Sequence, residues 1–182
     1  LIFGYDPFWA YYDLFSTAFG SLKNIGEILR AMSPLILIAL GFSVASKAGF
    51  FNVGLPGQAL AGWTSAVWFA LSFPELPKVV SVFCTVIIGL VAGGIAGAIP
   101  GILRAYLGTS EVIVTIMMNY IILYVANNIV RFGFTADMLR SSEASNKVVA
   151  SASYQTEFLS SLTGGSRFNI GFFLALAAVF LV

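Results

Sequence analysis

Hydrophobic residues run through this chain in long blocks, and charged residues punctuate them at wide intervals. Arg30 to Lys47 encloses 16 uncharged residues, Lys47 to Glu75 encloses 27, Lys78 to Arg104 encloses 25 and Glu111 to Arg131 encloses 19. A further uncharged block begins at Phe168 and fills the last 15 residues. A helix crosses the hydrocarbon of a bilayer with about 20 apolar residues, and a charge at its centre costs roughly 2.5–3.5 kcal/mol on insertion scales. The blocks therefore predict membrane-spanning helices near residues 28–46, 57–73, 78–99 and 112–131, with a fifth starting at 168. Glu27 and Arg30 fall at the edge of the first span, where long side chains can snorkel to the interface.

The connections are of several kinds. Phe73-Pro-Glu-Leu-Pro77 predicts a tight turn whose two prolines stop helices. Residues 132–167 are rich in Ser, Thr and Gly and carry Arg140, Glu143, Lys147 and Glu157, which predicts a solvated loop with room for a short helix. Residues 1–26 place Tyr5, Phe8, Trp9, Tyr11, Tyr12 and Phe15 beside Asp6 and Asp13, an aromatic, mildly amphipathic stretch suited to the membrane–water interface.

Composition sharpens this picture. The 182 residues are 59% hydrophobic and only 9% charged, with a net charge of +1, against roughly 25% charged in an ordinary soluble domain. These values exclude a globular soluble domain, a disordered chain and a nucleic-acid binder, which would need a basic surface. The fold class expected is all-α, a polytopic transmembrane helical bundle with about five spans in a single transmembrane domain. The chain opens on Leu1-Ile2-Phe3 and the fifth block stops at Val182, so a piece of a longer protein, cut at both ends, is expected.

Chemistry is thin. There is no histidine, and Cys84 is the sole cysteine, so histidine-based catalysis, the usual zinc sites and an internal disulfide are all excluded. The phosphate-binding Gly-x-x-x-x-Gly-Lys-Ser/Thr loop is missing, so the chain is not expected to hydrolyse ATP or to hold a cofactor itself. No carboxylate lies inside a predicted span, which argues against a pump driven by intramembrane Asp or Glu.

Three patterns remain. Gly89, Gly93, Gly97 and Gly101 are each four apart and line one helix face, widened by Ala92 and Ala96. Such a face lets a neighbouring helix approach closely; it serves tight packing, or a helix that rocks during transport. Lys47-Ala-Gly-Phe-Phe-Asn-Val-Gly-Leu-Pro-Gly-Gln58 breaks any helix yet stays apolar. Irregular backbone of this kind is either a tight interfacial loop or a discontinuity that aims backbone groups at a substrate. In the fourth span Thr115 and Asn119 share a face, and a mid-span amide must hydrogen-bond a neighbouring helix or face a pathway. Tyr120 and Tyr124 fall on another face, suited to packing. Thr109 or Ser110 is the expected N-cap before Glu111.

These stretches carry a resemblance. Residues 31–65, AMSPLILIALGFSVASKAGFFNVGLPGQALAGWTS, resemble the "FNIG–EGQ" region of bacterial ABC importer permeases, and 100–121, PGILRAYLGTSEVIVTIMMNYI, resemble their "G–NEVI-T-MLNYI" region. GYDPFWAYYDLF is similar to their first extracellular segment. The family is the branched-chain amino acid, sugar and nucleoside permease group, and the wording is nearest its nucleoside, basic membrane lipoprotein-associated branch. Pro56 departs from the acidic residue that relatives often carry there.

The resemblance implies a bacterial cell-membrane permease that pairs with a second permease subunit, binds ABC ATPase subunits that hold ATP and Mg, and receives solute from a lipoprotein or periplasmic binding protein. The cytoplasmic coupling role then falls on Arg104, Ala105, Tyr106, Leu107, Gly108, Thr109, Ser110 and Glu111, and the solute pathway on Asn52, Gly54, Gln58, Thr115 and Asn119. Residues 100–111 would face the cytoplasm, and 1–26 and 132–167 the outside. That orientation leaves only Lys47 and Arg104 inside against seven basic residues outside, counter to the positive-inside tendency. Sugar and branched-chain amino acid solutes stand as alternatives, as do an ATP-independent transporter or channel and a membrane scaffold.

Overall fold

The computed structural model describes residues 6–133, 153 and 157–182. Seven helices are described: α1 (Pro7–Phe19), α2 (Leu22–Lys47), α3 (Leu55–Ser72), α4 (Lys78–Leu107), α5 (Glu111–Gly133), α6 (Glu157–Leu162) and α7 (Gly171–Leu181). No strand element occurs among the described residues, as expected of an all-α bundle. Three helices, α2, α4 and α5, are long and apolar enough to cross a membrane. The turn at 73–77 separates α3 from α4, as its two prolines predict.

Several boundaries differ from the charge-free intervals. Helix α2 begins at Leu22, ahead of Glu27 and Arg30, and those two residues pair through Arg30 Nε and Glu27 Oε2 at 2.9 Å. Helix α3 has 18 residues but is not among the helices apolar enough to span, because Gln58, Thr64, Ser65 and Ser72 dilute it. Helix α4 does not stop at 99. It continues to Leu107 with Pro100 inside it, so 100–107 are its last two turns and not a separate short element. The missing Pro100 N–H leaves one carbonyl of the preceding turn without its helical partner, a loss that membrane helices tolerate where neighbours re-satisfy the backbone. The block from 168 becomes helical only at Gly171 and runs for 11 residues. Most of the loop expected at 132–167, with Arg140, Glu143 and Lys147, lies outside the described residues; α6 lies near its end.

The chain divides within α2 into two units, Leu1–Leu37 with Tyr154–Val182, and Ile38–Ser153. In the first, Asp6 caps α1 by accepting the Phe8 N–H at 3.0 Å, and Pro7 occupies the first turn where its missing N–H costs nothing. Phe8, Trp9, Tyr11, Tyr12 and Phe15 on α1 are all exposed, and Tyr5 lies outside the described residues. Gly26 on α2 lies directly against Ser166, leaving no room for a Cβ. Beside it, Glu27 Oε1 accepts the Arg167 N–H at 2.7 Å, so the start of α2 is fastened to the segment before α7.

In the second unit α3 packs against α4 and α5. Val67 and Val130 form its apolar core with Leu71 alongside. The closest approach is between glycines: a Cβ on Gly62 would meet the Gly89 carbonyl oxygen at 2.7 Å. Gly93 lies against the Gln58 backbone and Gly97 against the Gln58 side chain, whereas a Cβ at Gly101 would meet nothing within 4 Å. Three of the four evenly spaced glycines thus face α3, and Gly101 does not share that contact. The buried hydroxyls of Thr64 and Thr85 donate to carbonyls one turn back, at 2.8 Å to Leu60 and 2.9 Å to Ser81, so neither is an orphaned donor.

Candidate functional site

The break after α2 has a local cause. Gly49 takes a left-handed conformation at φ 75, its N–H donates to Ser46 O at 3.0 Å and the Phe50 N–H donates to Ala45 O at 2.9 Å. This paired arrangement closes a helix end around a glycine, because an L side chain is strained there. Residues 50–54 are then non-helical until Leu55 begins α3. Pro56 stands in the first turn of α3, where no helical partner awaits an N–H. Its departure from the acidic residue of relatives is therefore compatible with the helix start.

Carboxamides hold this connection. Asn52 is 8% exposed, and its Oδ1 accepts the Gly54 N–H at 2.9 Å. Asn52 and Gln58 also exchange two amide hydrogen bonds, Nδ2 to Oε1 at 3.3 Å and Nε2 to Oδ1 at 3.2 Å. From α5, Asn119 Oδ1 accepts the Gly57 N–H at 2.8 Å and Asn119 Nδ2 donates to Val53 O at 3.0 Å. Gly54, at the cap position of α3, makes no side-chain cap bond, so Asn119 supplies from a neighbouring helix what a local cap would supply. A Cβ on Gly57 would sit 2.6 Å from Asn119 Oδ1, so the glycine is what admits the amide. Thr115 is fully buried, adjoins Gly54, and donates its hydroxyl to Glu111 O at 2.7 Å.

All five residues expected along the pathway are thus brought into one cluster; Asn52, Gly54 and Gln58 bond one another, whereas Thr115 and Asn119 bond backbone groups outside the set. Thr115 offers no free hydroxyl in this arrangement, and Asn119 bonds a neighbouring helix with both ends of its amide. Tyr120 and Tyr124 do not pack among the described residues; they are 60% and 72% exposed.

A second cluster adjoins the same connection. Arg104, in the last turn of α4, forms an ion pair with Glu111 at the start of α5. Its guanidinium also lies over the Phe50 ring at 5.9 Å from the centroid, within reach of a cation–π attraction. Between the helices, Gly108 adopts φ 63 and its N–H closes the α4 end on Arg104 O at 3.0 Å. The Val114 N–H donates to Ser110 O, making Ser110 the backbone cap of α5, whereas Thr109 Oγ1 is buried with no hydrogen-bond partner in the structure and so does not cap. Tyr106 and Leu107 project outward, at 84% and 69% exposure. Arg104 and Glu111 fall in one short segment of the sequence, but nothing there signals that Phe50 meets Arg104, since aromatic residues are common throughout the chain.

An apolar groove of about 560 Å³ runs between α3 and α4, lined by Trp68, Ile87, Ile88, Val91 and Ile95 among others, with Ile129 of α5. The hydroxyls at its edge, Thr64 and Ser65, donate within their own helix. Among the described residues no group of His, Cys, Asp and Glu could hold a metal ion.

Apolar helices of spanning length, a glycine-packed helix pair and an irregular connection held by carboxamides fit a multi-pass membrane protein. The chain belongs to the family described as the branched-chain amino acid transport system / permease component, whose model matches residues 24–182. It is 51% identical over 98% of its length to the nucleoside ABC transporter permease protein NupB of Lactococcus lactis subsp. cremoris, covering 50% of that protein. It is 39% identical over 98% of its length to the guanosine ABC transporter permease protein NupP of Bacillus subtilis, again covering 50%. A glucose ABC transporter permease protein of Haloferax volcanii, TsgB13, is 33% identical over 64% of the chain and is covered over 30% of its length. The chain spans about half the length of the first two relatives. No solved structure matches it.

Proposed function

We propose that the chain is part of the permease subunit of an ATP-driven ABC importer and that the solute is a nucleoside. The observation that carries this reading is similarity along 98% of the chain to two permeases named for nucleoside and guanosine transport. The carboxamide cluster is in keeping with it. A nucleoside presents donors and acceptors but no formal charge, and amides answer both kinds without trapping the solute electrostatically. In this reading the route passes beside Asn52, Gly54 and Gln58, with Thr115 and Asn119 holding the connection from α5. Selectivity rests largely on an external binding protein, because an importer must release what it receives.

The remaining machinery lies on partner chains: ATP and Mg on ABC ATPase subunits, a second permease subunit, and a binding lipoprotein or periplasmic protein outside, all at a bacterial cell membrane. The last turn of α4 with Gly108, Thr109 and Ser110 is the ATPase-docking turn, supported by the outward projection of Tyr106 and Leu107. Sugar transport is the second reading, favoured by the similarity to the glucose permease over 64% of the chain.

The test is uptake of labelled guanosine and uridine by cells with the full-length gene deleted and restored, with unlabelled glucose or leucine as competitors. Loss of nucleoside uptake on deletion, recovered on restoration and indifferent to glucose, is the expected result. Unchanged nucleoside uptake after deletion rejects the reading, and glucose uptake lost in its place selects the second one.

A further inference from the structure

We infer that Arg104 is a positioning residue that ties the turn between α4 and α5 to the irregular connection 48–54, making those two segments one mechanical unit. The inference rests on the reading of that turn as an ATPase-docking site and adds the route by which its movement reaches the solute side.

Two contacts converge on Arg104 from different parts of the chain. Its guanidinium pairs with Glu111 across the turn at 108–110 and lies over the Phe50 ring. Phe51 follows Phe50 directly in the chain. The neighbouring residue, Asn52, belongs to the amide cluster with Gly54 and Gln58, and Val53 is bonded to Asn119. A series of contacts and chain links therefore runs from the turn, through Arg104, to Phe50 and Phe51, and on to the amides.

The chemistry favours arginine here. A planar guanidinium can face a carboxylate with its edge while presenting its π face to an aromatic ring, and a lysine ammonium offers no such plane. The Glu111 side chain is 18% exposed, so the pair is partly shielded from screening by water. Residues 50–54 have no helical hydrogen-bond ladder of their own and depend on these side chains for their position. Displacing the turn must therefore displace Phe50 and Phe51, or break the pair.

The full-length permease with its ATPase and binding protein, reconstituted in proteoliposomes, provides one readout: solute taken up per ATP hydrolysed. The variants are Arg104→Lys, Arg104→Glu, Glu111→Arg and the double reversal. Amide hydrogen exchange across residues 48–58 in the purified complex gives a second readout that needs no transport. Each single variant should lower uptake per ATP by about fivefold or more, the usual lower end of coupling between sites, with the ATPase still bound. Each should also speed exchange across 48–58, because the segment loses its support. The double reversal should recover part of both, since it restores the ion pair and not the stacking on Phe50. Unchanged exchange in Arg104→Glu overturns the inference, and so does a fall in uptake explained wholly by loss of bound ATPase. Faster exchange in a complex whose unaltered form shows no ATP-dependent uptake upholds the tie while rejecting the importer reading.

Discussion

Asn119 and Gly57, 62 residues apart, meet in a hydrogen bond of 2.8 Å that caps the start of α3 from the middle of α5. The other end of the same amide reaches Val53 O at 3.0 Å. Asn119→Ala leaves a buried N–H and a carbonyl without partners, and each such orphan costs about 1–3 kcal/mol. The full-length variant should therefore melt at lower temperature in detergent and accumulate to a lower level in the membrane. Asn119→Asp should fare no better: it keeps an acceptor for Gly57 but turns a carboxylate oxygen toward the Val53 carbonyl. A melting midpoint unchanged in both variants means the cap is not a support.

Part of this site was legible in the sequence. The helix breaks around Gly49, Gly54 and Pro56, the mid-span position of Asn119 and the i, i+4 relation to Thr115 are all local features, and they drew attention to the residues that the structure brings together. The partner of each amide was not legible, because register between α3 and α5 is set by tertiary packing. The end of α4 was misplaced for a related reason. The span expected near 78–99 continues through Pro100 and Gly101, and its terminator is Gly108 with its left-handed backbone. The charge-free intervals also take no account of polar uncharged residues such as those diluting α3, and among the described residues three helices are long and apolar enough to cross a membrane.

The Asn52–Gln58 pair should behave as a unit. Removing either amide abolishes both mutual hydrogen bonds, so Asn52→Ala and Gln58→Ala should be markedly non-additive. The coupling expected from a double-mutant cycle on unfolding is about 0.6 kcal/mol, rising to about 1.7 kcal/mol if the pair is as sheltered as the strongest measured membrane contacts. Additive effects in that cycle would show that each amide is held by something other than its partner.

The glycines separate into two groups that substitution can tell apart. Alanine at Gly62 would press its Cβ against the Gly89 carbonyl oxygen at 2.7 Å, a contact that only a backbone shift relieves. Overpacking of this kind typically costs about 1–3 kcal/mol, so Gly62→Ala should lower stability and Gly93→Leu should prevent assembly. Gly101→Ala meets open space and replaces a poor helix former, worth up to about 1 kcal/mol in favour of the variant. Thermal melts of the three full-length variants in detergent check the order; equal destabilisation at Gly62 and Gly101 would contradict the observed packing face.

Orientation sets the charge pattern against the docking reading. With the turn at 108–110 inside, the turn at 73–77 lies on the opposite side, and seven of the nine basic residues fall outside. The positive-inside tendency counts short loops over a whole protein and says little of long loops; residues 132–167 hold three of those seven. Ser110 and Glu75 are both exposed at helix ends and neither is engaged in an ion pair, so cysteine can replace each with little structural effect. In a full-length Cys84→Ser background, a membrane-impermeant thiol reagent applied to intact cells should label Glu75→Cys and spare Ser110→Cys until the cells are opened. The reverse pattern would place the turn outside, remove the ATPase from its reach and return the basic residues to the cytoplasmic side.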